Sequence, residues 1–344
     1  MPYSLKTSPI STKSLQEASS LDSERLPWAM DRPPALSPLP QTMGWEPPRG
    51  RTLVILIVLL FLTFLTTLYM GAVHMGTFHH APWLDSMNGP LELFIYLLKR
   101  PILLLSGIPY AIAVMLILGS HELGHYLYCR TYNVNATPPM FLPAPTLFGT
   151  FGAFIRIKSP IPSRKALFDI GIAGPLAGLI VTLPFLAWGI AHSVPASFQA
   201  TEGSYIIFGE PLIWKIFTWI FWSHGSNMDM NVHPIALAAW FGLLATNLNL
   251  FPIGQLDGGH IAYALLGRRA RRLGFVCWLG LVALVFHNTV WTVWTLLTFL
   301  IGFRHPPPLT EEPEIHRGRQ ILGWIALIAF ILTFTPDPIR IVTT

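Results

Sequence analysis

"PILLLSGIPYAIAVMLILGSHELGHYLYCR", residues 101–130, is a long apolar run that ends by taking in His121, Glu122 and His125. About 18 or more apolar residues in succession suggest a bilayer-crossing helix. Ionisable side chains inside such a helix cost roughly 2.5–3.5 kcal/mol each on insertion scales, and they usually mark function. On a helix, residues four apart share a face. His121 and His125 can therefore hold one metal ion, while Glu122, one residue further round, can reach a water beside it. This is the H-E-x-x-H arrangement of zinc hydrolases. The plain structural alternative is a polar helix face satisfied by its neighbours.

The rest of the chain agrees with a membrane setting. Of 344 residues, 52% are hydrophobic and 11% charged, against about 25% charged in a soluble domain. The expected fold is an all-α polytopic membrane protein of about six transmembrane helices. They fall at 52–73, about 102–129, 166–191, 234–252, 273–303 and 321–334. The polar pair His287 and Asn288 is a candidate break within the fifth, which leaves one or two crossings open there. Residues 1–50 are rich in Ser and Pro and read as a disordered tail. They have no signal-peptide pattern. Residues 51–344 form the transmembrane domain.

The net charge of +5 invites a nucleic-acid reading, which we reject because the basic residues sit in short loops. The tail through Arg51 holds six Lys or Arg, the loop at 130–165 five and that at 253–272 four. The loops at 74–101 and 193–233 hold two and one. By the positive-inside rule this alternation puts the N-terminus in the cytoplasm. Cys129 and Cys277 fit neither a disulfide scaffold nor a zinc pattern.

A catalytic zinc usually takes three protein ligands and keeps one position open. "NLNLFPIGQLDGGH" (247–260) offers Asp257 just after the fourth span, with Asn249 and Pro252 upstream. Pro252, Gly258 and Gly259 are expected to break the helix and set Asp257 on a turn. An ordinary Asp-Gly turn is the alternative.

H-E-L-G-H in one span, with N-L-F-P and L-D-G on a later one, resembles the site-2 protease family of intramembrane zinc metalloproteases. The resemblance covers about residues 100–266, the expected catalytic core. It implies that His121, His125 and Asp257 bind one zinc ion per chain, that Glu122 is the general base and that Asn249 positions the substrate backbone or the oxyanion. It further implies regulated intramembrane proteolysis of transmembrane protein substrates in a lipid bilayer, with a bacterial inner membrane as the expected location. "GIAGPLAG" (171–178) matches the family's glycine-rich stretch, where small residues let helices approach closely. The third loop, of some forty residues, leaves no room for the PDZ domain that many members carry. The chain looks like a compact member without one.

Between the second and third spans, "GTFGAFIRIKSP" (149–160) alternates with the period of a strand. It suggests a small re-entrant β element, one arm of a hairpin starting near Pro138. Its open edge could take up an unwound substrate through backbone hydrogen bonds, with Gly152, Ala153, Phe154 and Ile155 as the binding residues. Two rival readings stand. One is a zinc-binding membrane transporter or non-catalytic scaffold. The other is a different zinc protease with a glutamate, Glu210, as third ligand. Other polar residues receive ordinary roles: Asp169 at a helix start, His260 beside a site complete without it, and His74, His79 and His80 as solvated loop histidines.

Overall fold

Apolar length makes the frame. The computed structural model describes residues 47–87, 89–196, 204–223, 229–310 and 315–343. The expected N-terminal tail therefore lies outside the described residues, apart from its last four. Helix α1 (Gly50–Phe78), α2 (Ile108–Thr131) and α3 (Arg164–Ala191) carry the first three long apolar segments. Among the described residues, four stretches are long and apolar enough to cross a membrane: 50–78, 101–131, 164–191 and 257–287. Their outer faces are apolar too: Ile57, Ile180, Val276 and Phe286 are exposed. Surfaces of that kind suit lipid rather than water.

Small residues set how closely these helices pack. Helix α4 is Leu212–Phe221 and α5 is Pro234–Leu250. Ala236, Ala239, Trp240 and Leu243 of α5 bury against Leu186 and Ile190 of α3. A Cβ on Gly189 would meet the Ala236 backbone nitrogen at 2.3 Å, so the two backbones touch. Ser163 caps α3 by accepting the Ala166 N–H.

Between α2 and α3 lies an antiparallel hairpin of β1 (Met140–Pro143) and β2 (Thr150–Phe154), with Phe141 opposite Ala153 and Leu142 opposite Gly152. Its start is held near the end of α2, where the Val134 N–H donates to Cys129 O at 2.8 Å. Its tip is held near that helix's other end, where the Tyr110 hydroxyl donates to Phe148 O at 3.2 Å. On α2 those two anchors lie about 28 Å apart at 1.5 Å per residue. His74 donates from Nε2 to Leu147 O at 2.8 Å. It is thus no loop residue: α1 continues past the expected end at 73 to Phe78, and His74 ties the hairpin tip to it.

Beyond α5 the chain turns at Pro252 and Gly254 (φ 55°) into α6 (Asp257–Leu266). The fourth apolar stretch is not straight. Gly267 (φ 59°) ends α6, and α7 (Ala270–His287) returns, bringing Gly274 against Pro252 O. The expected break at His287 and Asn288 is present, and α8 (Trp291–Ile301) doubles back on α7, with Trp278 Nε1 donating to Thr295 O at 3.1 Å. Helix α9 (Arg317–Thr333) follows.

Two small pairings close the far end. Strand β3 (Val194–Pro195) pairs with β5 (Met230–Asn231), and β4 (Ser204–Phe208) pairs antiparallel with β6 (Ile339–Thr343). The latter puts β6 at the end of the bundle where α3 finishes.

Candidate metal centre

The site is built where α2, α3 and the start of α6 meet. His121 and His125 stack one turn apart on α2, ring centroids 5.0 Å apart. Asp257, the first residue of α6, brings its Oδ2 to 3.2 Å from both His121 Nε2 and His125 Nε2. The expected turn is therefore a helix start. Its glycines serve close approach: a Cβ on Gly258 would lie 2.0 Å from Leu250 O, and one on Gly259 2.3 Å from Gly254 O.

These three donors fit a metal. Tetrahedral ligands at about 2.0 Å from zinc sit roughly 3.3 Å apart, close to the 3.2 Å seen here for both histidine–aspartate pairs. His125 Nδ1 lies 2.7 Å from Ile170 O. A carbonyl only accepts, so Nδ1 carries the proton and Nε2 is left as the free lone pair. Among the described residues this is the one group of three such side chains close enough to share an ion. Glu210 is exposed in the connection after β4 and is not part of it.

The glycine-rich stretch of α3 accommodates the histidine rings. A Cβ on Gly174 would meet His125 Nε2 at 2.0 Å, and one on Gly178 would meet the His121 ring at 3.1 Å. One on Gly171 would meet the His260 Cβ at 2.8 Å. Three glycines thus face three histidines.

Glu122 is buried beside the pair but outside the donor group. Its carboxylate accepts from the Ile155 backbone N–H. Asn249 Nδ2 lies 3.4 Å from His121 Nε2. Its neighbour Asn247 points elsewhere, donating to Phe330 O and Thr333 Oγ1 on α9. A cavity of about 190 Å³ opens over these groups, walled by Ala153, Phe154 and Ile155 as well as Glu122, Asn249 and Asp257. Gly152 is not on its wall. It sits at φ 108° with nothing within 4 Å of a would-be Cβ.

Two roles assigned from the sequence change. Asp169 does more than face a helix dipole: it takes a two-pronged pair from Arg319 of α9 at 2.8 and 2.7 Å and a hydrogen bond from the Tyr132 hydroxyl. Burial, then Asp169, pushes that hydroxyl up to about 12, so it stays a donor. His260 is not idle either. Its Nδ1 lies 2.5 Å from Nε2 of His305, whose ring stacks on Tyr263 at 4.7 Å. His305 leads into a run of prolines between α8 and α9 that reaches back to the segment just before α3, where the Leu309 N–H donates to Ile161 O. No spacing signal links His305 to residues so far upstream.

Apolar helices that gather two histidines and a carboxylate around one point form a candidate metal site. The chain belongs to peptidase family M50, whose family model matches residues 109–286. It is 32% identical over 253 residues to the "Probable zinc metalloprotease EGY2, chloroplastic" of Arabidopsis thaliana, covering 69% of this chain and 43% of that protein. The "Probable zinc metalloprotease EGY1, chloroplastic" of the same plant is 32% identical over 238 residues, 67% of this chain and 43% of its own length. The EGY2 protein of Oryza sativa subsp. indica is 30% identical over 248 residues, 69% of this chain and 44% of that protein. The chain thus spans less than half the length of the curated relatives that it matches.

Proposed function

We propose that this chain is an intramembrane zinc endopeptidase that cuts transmembrane segments of other proteins. Its catalytic core would be about 100–266 within a transmembrane domain of 51–344. The observation that carries this reading is the convergence of His121, His125 and Asp257 beside a carboxylate, Glu122, that is not one of the donors. The names of the relatives support zinc as the metal, held by those three side chains, one ion per chain. When bound, zinc supplies Lewis acidity towards water and a carbonyl oxygen. Glu122 takes a proton from the attacking water and passes it to the leaving amine. The Ile155 N–H fixes its carboxylate for that task. Asn249, one amide away from His121, orients the scissile carbonyl.

The hairpin supports a binding mode. Arg156 accepts from the Thr137 N–H, and the Lys158 N–H donates to Asn135 O, so even-numbered residues turn their backbone towards the partner strand. Odd-numbered ones turn away, towards the cavity. Ala153 and the Ile155 carbonyl then form the edge to which an unwound substrate adds, while Gly152 and Phe154 hold the hairpin together. A hairpin anchored near both ends of α2 is re-entrant, and its backbone at that depth is acceptable because it lines a cavity.

The pairing of β4 with β6 also bears on the crossings. Those strands share one side only if an even number of passes separates them. With α5 and α9 crossing once each, α7 and α8 together cross an even number of times, either over and back or re-entering on one side. The relatives are called chloroplastic, so the expected bacterial inner membrane draws no support from them. The inward N-terminus rests on the basic loops alone. A transporter or scaffold reading gains nothing from relatives named as metalloproteases.

The test is Glu122→Gln, which keeps size and hydrogen bonding but cannot act as a base. It should retain zinc while turnover of a transmembrane substrate falls by orders of magnitude. Equal turnover by both forms would sink the protease reading.

A further inference from the structure

A cavity much larger than that of the metal centre, about 840 Å³, lies where α6 gives way to α7. The left-handed turn at Gly267 ends α6, and the short helical turn Gly267–Arg269 then leads into α7. Arg268, Arg271 and Arg272 line the cavity, and Arg304, two residues past the Gly302 that ends α8, joins them. No carboxylate among the described residues forms an ion pair with any of the four. Four cations lining one cavity give it a positive potential that favours an anion.

The same cavity has an apolar lining as well. Phe275, Val276 and Phe303 line it, with the Phe275 and Phe303 rings 5.7 Å apart. Neighbouring rings lead on from it: Trp278 lies 5.6 Å from Phe303 and 5.5 Å from Phe299. From there a second cavity of about 440 Å³ runs between α7 and α8, past Val282 to Phe286 and Leu296. Phe286 is 88% exposed. From Phe275 to Phe286 this groove is about 17 Å long. Charge at one end and an open apolar groove at the other match a phosphate carrying acyl chains. A free inorganic anion would fill only the upper half.

We propose that this site binds an anionic phospholipid, its phosphate held by Arg268, Arg271, Arg272 and Arg304 and an acyl chain laid in the groove between α7 and α8. Guanidinium groups grip phosphate in two-pronged fashion, and basic pockets between membrane helices commonly hold lipid headgroups. The inference rests on the chain lying in a bilayer and not on its being a protease.

The full chain, purified in neutral detergent, should be titrated with phosphatidylglycerol, with phosphatidylcholine of the same chains and with inorganic phosphate, and binding read by native mass spectrometry. Selective retention of phosphatidylglycerol is expected. A triple R268Q/R271Q/R272Q variant should bind it about tenfold or more weakly, whereas R49Q/R51Q, basic residues outside the cavity, should bind as the parent does. Should the triple variant not fold, R304Q alone should still show a weaker affinity. Equal retention of phosphatidylcholine, an equal loss in R49Q/R51Q, or competition by millimolar phosphate as strong as by the lipid would overturn the proposal.

Discussion

Gly174 lies so close to His125 that a methyl group on its Cα would come within 2.0 Å of the ring's Nε2. The absent side chain on α3 therefore makes the room that the His125 ring occupies on α2. Gly174→Ala should push the imidazole aside and lower zinc content severalfold at normal expression, with activity falling in step. Gly178→Ala, where the gap is 3.1 Å, should do so more mildly. Gly280→Ala, with nothing within 4 Å, is the silent control. Metal analysis of the three purified variants decides it, and full zinc in Gly174→Ala would contradict the packing argument.

The two asparagines near the end of α5, Asn247 and Asn249, should separate cleanly. Asn247 holds α9 through two hydrogen bonds, so Asn247→Ala should cost about 1–3 kcal/mol of stability with turnover per folded molecule unchanged. Asn249→Ala should leave the melting temperature alone and lower kcat. Thermal unfolding and single-turnover cleavage, run side by side, read the two effects apart.

Arg319→Ala leaves the Asp169 carboxylate buried without its cation. Losing one partner of a buried pair costs on the order of 3 kcal/mol, here towards the low side because the Arg319 side chain is 21% exposed. Arg319→Lys should recover only part of that, since an ammonium cannot make both bonds. Zinc content should stay at one per chain, which distinguishes a fold-holding pair from a metal-site residue.

Single prolines along β2 should have effects that alternate with a period of two. At 153 a proline removes a backbone donor from the free edge and should cut cleavage while zinc and expression persist. At 152 or 154 it should instead loosen the hairpin and lower the melting temperature. Uniform tolerance at all three positions would rule out substrate addition at this edge.

The candidate metal site was legible because its pattern is compressed into local spacing. Two histidines one turn apart on an apolar helix announce a shared face before any fold is known, and an aspartate beside two glycines after another apolar run completes the set. The alternation of 149–160 gave away the hairpin in the same manner. Long-range partners left no such trace. Nothing in the local sequence says that Asp169 waits for Arg319, or that His305 returns to His260, because each pair depends on how α8 and α9 fold back. Helix limits near His74 and Gly267 were blurred for a different reason: hydropathy counts apolar residues and ignores a single left-handed glycine.

Strand β6 emerges from the ribosome after α9, yet its hydrogen-bonding partner β4 was made before α4. Until those late residues arrive, Ser204–Phe208 lacks this partner, and an unpaired edge is a place where wrong partners can join. Biogenesis of this fold therefore has a vulnerable interval set by translation time. A message cut short ahead of Ile339 would yield a chain whose helices and metal ligands are all present but whose outer seam never shuts.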